Sequence, residues 1–340
     1  MKNLSLAQRV AAFKNLGYYL KNIPFEEFNN LALQAKTKNN WFTSENVEKA
    51  LGGIGKFLEA EALEKWVEIY PKIAHTNPKK VAVVMAGNIP AVGFQDFLSV
   101  LMAGHILLAR PSSEDDILIK FIAEKLLEIE PDFQPFLYFV ERINEAEAII
   151  ATGSDNTARY FEYYFAKKPH IIRKNRVSIA ILNGKEDFND LEALGADIFS
   201  YFGLGCRNIA KLYVPDNYDF TYFFKGIEQF NYIANHHKYF NNYEYNKAIY
   251  LLKPLEHLDN GFLLLSQSKE IASPVACLYY ETYENNEELI QKITPFEQKI
   301  QCIVSKEAFW QKSYDFGQAQ YPTLWDYADD IDLMRFLEEL

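Results

Sequence analysis

Apolar positions near the start of the chain recur at helical spacing: Leu4, Ala7, Val10, Phe13 and Leu16 share one face. Residues 4 to about 74 therefore read as helices. Thr43-Ser44-Glu45 ahead of Val47 reads as the cap and first turn of one of them. Gly52-Gly53-Ile54-Gly55 reads as a helix break, because it follows no strand and lacks the full dinucleotide fingerprint. At Pro78-Lys79-Lys80 the pattern changes to short continuous apolar runs: 81–86, 105–110, 136–140 and 148–152. Such runs are expected of parallel strands buried on both faces. Helical stretches separate them, at 92–102, from a cap at 111–116 to about 130, and at 156–166. Ile171-Ile172 and 178–182 are also strand-like. This alternation predicts an α/β fold with a doubly wound parallel sheet and right-handed crossovers. Ligands on such sheets bind at the carboxyl ends of the strands. Gly87-Asn88, Arg110-Pro111-Ser112 and Thr152-Gly153-Ser154 fall at those ends.

A polar joint at 183–190 marks the expected domain boundary. A second α/β unit follows. It holds a helix at 191–199, the turn Gly203-Leu204-Gly205-Cys206, a strand at 209–214 stopped by Pro215-Asp216, and a helix at 220–233. Residues 236–245 read as a loop-rich helix, and 248–252, 262–265, 276–280 and 302–304 as strands. The expected organisation is a helical segment at 1–77 packing on a dinucleotide-binding domain at 78–183. A catalytic domain at 184–310 carrying Cys206 and a closing segment at 311–340 complete it. No internal repeat or low-complexity stretch is evident.

With 340 residues, 49% hydrophobic and 24% charged, the chain is long enough for about two domains with a large core. A net charge of -11 argues against a nucleic-acid partner, but leaves room for a local basic patch facing an acidic cofactor. The three cysteines, Cys206, Cys277 and Cys302, show no CxxC spacing, which suggests a reducing compartment. The first residues lack the apolar core of a signal peptide, and no apolar run reaches the ~18 residues of a membrane span. A cytoplasmic protein without a membrane span is expected.

A cysteine displayed beside two glycines is a candidate nucleophile, since a thiolate is strongly nucleophilic at neutral pH. Read alone, Cys206 is sooner a small buried residue at a strand start. Asn88 alone is sooner a turn-former before Pro90. Arg110 alone is a surface charge, and Ser112-Ser113 are helix caps. His236-His237 invites a metal reading, but adjacent residues diverge on a helix and no carboxylate or cysteine sits at ligand spacing, so no metal is expected. Cys277 and Cys302 lie in apolar runs and read as core.

Taken together, Asn88 before Ile89-Pro90, Arg110-Pro111-Ser112, Thr152-Gly153-Ser154 and Gly203-Leu204-Gly205-Cys206 resemble the aldehyde dehydrogenase superfamily. The closer resemblance is to its acyl-CoA reductase branch, the LuxC-like fatty acyl reductases of bacterial luminescence. It covers roughly residues 78 to 280 and weakens toward the C-terminus. It implies an aldehyde-dehydrogenase-like fold, with a cofactor domain and an α/β catalytic domain. It makes Cys206 the nucleophile and Asn88 the oxyanion donor, together with the Cys206 backbone N–H. It places Arg110 and Ser113 at the cofactor's adenosine ribose, and Gly153-Ser154 near the pyrophosphate at a helix N-terminus. Ser112 joins this cofactor set, and Glu270 in Lys269-Glu270-Ile271-Ala272-Ser273-Pro274 matches the glutamate that holds the nicotinamide ribose. Leu204 stands where many relatives have Gln, and Ala272-Ser273 replace Phe-Gly.

Ser113 stands where NAD-preferring relatives often carry a glutamate. The resemblance therefore implies NADPH, with NADH as the alternative. Hydrolytic relatives carry a general-base glutamate ahead of a Gly-Gly-Lys segment, whereas residues 171–178 here hold no carboxylate. This implies that a thioacyl enzyme is reduced rather than hydrolysed. Lys174 and Arg176 in that stretch read as a solvated basic loop or as attractors of a phosphate. The expected function is NADPH-dependent reduction of a long-chain fatty acyl-CoA to the aldehyde through thioacyl-Cys206. The alternatives are an acyl group delivered by a carrier protein or partner synthetase, or a nucleotide-binding relative without catalysis. A homo-oligomer or an acyl-transferring partner protein fits the same resemblance.

Overall fold

The computed structural model describes residues 4–153, 155–253 and 255–340, the side chains of 155–157 aside. Four helices open the chain: α1 (Leu6–Lys21), α2 (Phe25–Lys38), α3 (Ser44–Phe57) and α4 (Ala60–Glu68). Ser5 and Gln8 start α1 as a reciprocal capping box. The Thr43 hydroxyl accepts the Asn46 N–H at 3.3 Å and starts α3. The glycine-rich stretch at 52–55 does not break the helix. α3 runs through it, because Val47, Leu51 and Ile54 bury one continuous face.

The chain divides into two compact units, one up to Asn175 with Thr323–Leu340, the other Arg176–Pro322. The first holds β1 (Lys80–Val84), α5 (Phe94–Met102), β2 (Ile106–Arg110), α6 (Ile117–Ile129), β3 (Leu137–Phe139), β4 (Ala148–Thr152), α7 (Asp155–Phe165) and β5 (His170–Arg173). Its sheet has the order β3-β2-β1-β4-β5, and every pairing is parallel. Val81, Ala82 and Val83 of the central strand are fully buried, so both faces are covered. The order reverses at β1, where doubly wound sheets open a crevice at their carboxyl ends. The tail returns to this unit through hydrogen bonds from Trp66 to Tyr327 (2.6 Å) and from Tyr70 to Asp332 (2.9 Å). Arg173 at the end of β5 forms a buried ion pair with Asp96 of α5 at 2.7 Å.

The second unit holds β6 (Val177–Ile181), α8 (Phe188–Phe199), β7 (Ile209–Pro215), α9 (Phe220–Gly226), α10 (His237–Leu252), β8 (Leu258–Asp259), β9 (Leu264–Gln267), β10 (Cys277–Tyr283), α11 (Asn286–Ile293) and β11 (Ile300–Ser305). Its order is β11-β6-β7-β10-β9-β8, parallel except for the short edge strand β8. The units part ahead of the joint at 183–190, because β6 pairs with β7 and β11. Residues 248–252 are not a strand. They end α10, whose buried Tyr239, Tyr243, Asn246 and Tyr250 recur at helical spacing. The helix expected over 220–233 stops at Gly226, and a 3-10 segment follows at Glu228–Asn235.

Candidate functional site

In the first unit, the carboxyl ends of β1, β2 and β3 border an open cavity of about 710 Å³. Arg110, Ser112 and Ser113 line it, as does Lys38 from α2. Arg110 is the exposed last residue of β2, held in register by a Met85 N–H donated to its carbonyl at 3.1 Å. The Ser112 hydroxyl accepts the Glu114 N–H at 3.2 Å and shapes the turn ahead of α6. Gly87 lies against this turn. A Cβ on residue 87 would sit 2.6 Å from both Cβ and Oγ of Ser112, so only glycine lets the β1 and β2 turns approach this closely. Asp116 on the rim pairs with Lys120 at 2.7 Å and Lys38 at 3.4 Å. Its hydrogen bond with Lys120 holds it below the usual carboxylate range.

Asn88 is exposed on the turn after β1. That turn is fastened from below. Ala91 (φ 53) donates its N–H to the Asp115 carboxyl at 2.6 Å. Asp115 is buried, and burial pushes its carboxyl up to about 7. Gly153 follows β4 and donates its N–H to the Arg173 carbonyl at 3.2 Å. Ser154 lies outside the described residues. The structure thus brings Arg110, Ser112 and Ser113 together on one cavity. Reading of the sequence missed Lys38, Lys120 and Asp115, because their partners are remote along the chain or hidden within a capping segment.

In the second unit, α8 ends at Phe199 with Ser200 as its cap, and the chain turns sharply. Tyr201 (φ 51) and Phe202 (φ 60) take left-handed conformations and Gly203 (φ 75) continues the turn. Non-glycine residues there cost on the order of 1–3 kcal/mol each, so other contacts must hold the turn. Asn208 supplies them. It is buried, and its amide donates to the carbonyls of Asp197 (2.9 Å) and Ser200 (2.8 Å) while its oxygen accepts the Gly205 N–H at 2.7 Å. Cys206 is exposed on this turn. Its carbonyl accepts the Ser178 hydroxyl of β6 at 3.0 Å. Arg207 beside it lies over the Tyr314 ring, 5.0 Å from its centre, and donates to the Ala319 carbonyl. Cys277 and Cys302 are buried in β10 and β11, and burial pushes both thiols up, Cys277 to about 11.

Glu270 is exposed on the segment between β9 and β10, and its N–H donates to the Ser268 hydroxyl at 3.1 Å. Lys211 of β7 lies beneath. It is fully buried, donates to the carbonyls of Ser268 (2.9 Å) and Glu270 (3.2 Å), and pairs with Glu281. Burial lowers its pKa against the pull of Glu281. A lysine inside the apolar run 209–214 was the one sequence signal for this device. His236 caps α10, accepting the Tyr239 N–H at 3.4 Å. No helix among the described residues is long and apolar enough to cross a membrane.

Several solved structures share the fold. An NADP-dependent enzyme of E. coli superposes with a TM-score of 0.65 at 15% identity, over 93% of this chain and 75% of that one. An indole-3-acetaldehyde dehydrogenase of P. syringae, in complex with NAD+, gives 0.68 at 15% identity, over 93% and 75%. The aldehyde dehydrogenase KauB of Pseudomonas aeruginosa gives 0.65 at 15% identity, over 91% and 73%. A comparison with curated proteins finds no significant match. The model of the acyl-CoA reductase (LuxC) family matches residues 14–223, which take in Asn88, Arg110, Ser112, Ser113, Gly153, Ser154 and Cys206 and stop short of Glu270. The chain belongs to this acyl-CoA reductase family of oxidoreductases, and it shares its fold with the aldehyde dehydrogenases above.

Proposed function

We propose that this chain reduces a fatty acyl-CoA to the aldehyde with NADPH, through a thioester on Cys206. The observation that carries this reading is the exposed Cys206 thiol on a strained turn tied down by Asn208, while Cys277 and Cys302 are buried. The thiolate attacks the acyl carbonyl, the coenzyme A thiolate leaves and takes a proton, and the acyl group remains on sulfur. When bound, the nicotinamide cofactor supplies the hydride that turns this carbonyl into a hemithioacetal. The C–S bond then breaks, releasing aldehyde and the Cys206 thiolate. The Cys206 N–H and the Asn88 amide are the donors proposed for the developing oxyanion, a role worth roughly 3 kcal/mol per donor. No carboxylate stands in residues 171–178 to activate water, in keeping with reduction over hydrolysis.

The residues at the first unit's cavity fit a dinucleotide phosphate. Arg110 and Lys38 bring positive charge, Ser112 and Ser113 bring hydroxyls, and Gly87 lets the β1 turn pack closely on Ser112. Arg110 with Ser113 in place of a carboxylate favours the 2′-phosphate of NADPH. Gly153, Ser154 and Glu270 are proposed to hold the pyrophosphate and the nicotinamide ribose. The nucleotide-binding role thus falls to the first unit and the nucleophile to the second. Following NADPH loss with purified protein and long-chain acyl-CoA tests the proposal. Turnover should appear and vanish in Cys206→Ala. Full turnover in that variant would overturn the nucleophile assignment.

A further inference from the structure

A second cavity, of about 310 Å³, lies at the other end of the first sheet, among segments that precede β1, β2 and β3. Arg9 of α1 lines it and is 3% exposed. One amino group of its guanidinium donates to the Ile73 carbonyl at 2.7 Å, whereas its buried Nε has no hydrogen-bond partner. No carboxylate among the described residues pairs with it. Burial alone acts on this group and pushes its pKa down to about 10. An ion buried without a counter-charge is costly, and the fold makes special room for this one. Gly104 (φ 85) lies so close that a Cβ on it would be 2.1 Å from Arg9 Nη1.

The buried side chains on its walls besides Arg9 are apolar, Leu4, Leu101, Phe133 and Phe136, whereas His75 is exposed and Thr76 half-buried. A phosphate seeks several donors, but Thr76 donates its hydroxyl to the Ile73 and Ala103 carbonyls and His75 is exposed, which leaves Arg9 as the buried donor. The Nε edge of a guanidinium instead presents the planar fork that a carboxylate accepts. We propose that this cavity binds an organic carboxylate with an apolar tail, its head on Arg9 and its tail against Leu4, Leu101, Phe133 and Phe136. The site is separate from the proposed acyl chemistry and does not rest on it. It suits a ligand that regulates or stabilises the first unit rather than one that reacts.

Isothermal titration of the full chain with decanoate tests this, with 1-decanol and inorganic phosphate as comparison probes. Wild type and Cys206→Ala should bind decanoate alike, which separates this cavity from any acyl site at Cys206. Arg9→Met should weaken binding about tenfold or more, the worth of one charge-assisted hydrogen bond. Ala74→Trp, at the exposed rim of the cavity, should do the same by filling the entrance while leaving reductase turnover unchanged. This second variant decides the matter if Arg9→Met does not fold. Equal decanoate binding in Ala74→Trp overturns the proposal. So does 1-decanol binding as tightly as decanoate, or phosphate binding in its place.

Discussion

The side-chain oxygen of Asn208 accepts the backbone N–H of Gly205 at 2.7 Å, one residue ahead of Cys206. The same side chain donates to the Ser200 carbonyl at 2.8 Å, so one amide spans the whole left-handed turn. Asn208→Ala leaves these half-buried groups unsatisfied and should cost about 1–3 kcal/mol. Because the turn positions Cys206, the loss in kcat should exceed what the lowered melting temperature explains. Denaturant melts and acyl-reduction kinetics on the same variant check this.

Thiol accessibility separates Cys206 from the other two cysteines. At pH 8 a disulfide reagent should modify one thiol in the native protein and three after denaturation. Burial hides Cys277 and Cys302 and disfavours their thiolates. Cys206→Ala should remove the native reaction. Two fast native thiols would contradict this assignment.

Asp115 gives the protein a pH dependence of known sign. Its folded pKa of about 7 lies above the ordinary value of 3.8, so the folded state holds the proton more tightly than the unfolded chain. Its contribution to stability is therefore full below about pH 4 and is lost as pH rises toward 7. Asp115→Asn keeps an acceptor for the Ala91 N–H and should flatten this slope, with the variant gaining relative to wild type at pH 8. Urea melts from pH 4 to 8 measure the difference, and an unchanged slope would count against it.

The cavity at Arg110 predicts cofactor discrimination. Ser113→Glu places a carboxylate where the 2′-phosphate is proposed to sit. It should raise KM for NADPH about tenfold or more while affecting NADH little. Gly87→Ala should weaken both cofactors, because its Cβ would meet Ser112 at 2.6 Å and push the turn away, at a cost of about 1–3 kcal/mol in stability.

Lys211 should prove structural for the Glu270 segment. Lys211→Met leaves the half-buried Glu281 carboxylate without its partner and frees two carbonyls, a loss of about 3 kcal/mol by analogy with broken buried pairs. If the variant folds at low temperature, its KM for cofactor should rise in parallel with that of Glu270→Gln. A normal KM in Lys211→Met would show that Lys211 does not position Glu270.

Much of the fold was legible because parallel strands announce themselves. The run Val81-Ala82-Val83-Val84 is apolar on both faces, and its neighbours repeat the pattern at regular intervals. Reading failed where one residue serves two patterns. Ala248-Ile249-Tyr250-Leu251-Leu252 is apolar enough for a strand, yet it is the end of α10, since only Tyr250 of the five is buried. Gly52-Gly53 looked like a break, yet packing of Leu51 and Ile54 against the core carries α3 through. The turn residues Arg110, Ser112 and Cys206 were visible because their chemistry sits at strand ends. Their supports were not: Asp115 and Asn208 look ordinary until their partners come near, and Lys211 shows only as a lysine in an apolar run.

By itself, then, the amino-acid order determined the strand-helix alternation, the parallel sheets and the candidate residues at the strand ends. These follow from local periodicity and residue chemistry, which the chain carries without folding. Tertiary structure alone decided the rest. It chose which cysteine is exposed, assigned β6 to the second sheet and brought Lys38 to the Arg110 cavity. It also left Arg9 buried without a counter-charge. Burial and pairing depend on residues distant along the chain, and only folding brings those together.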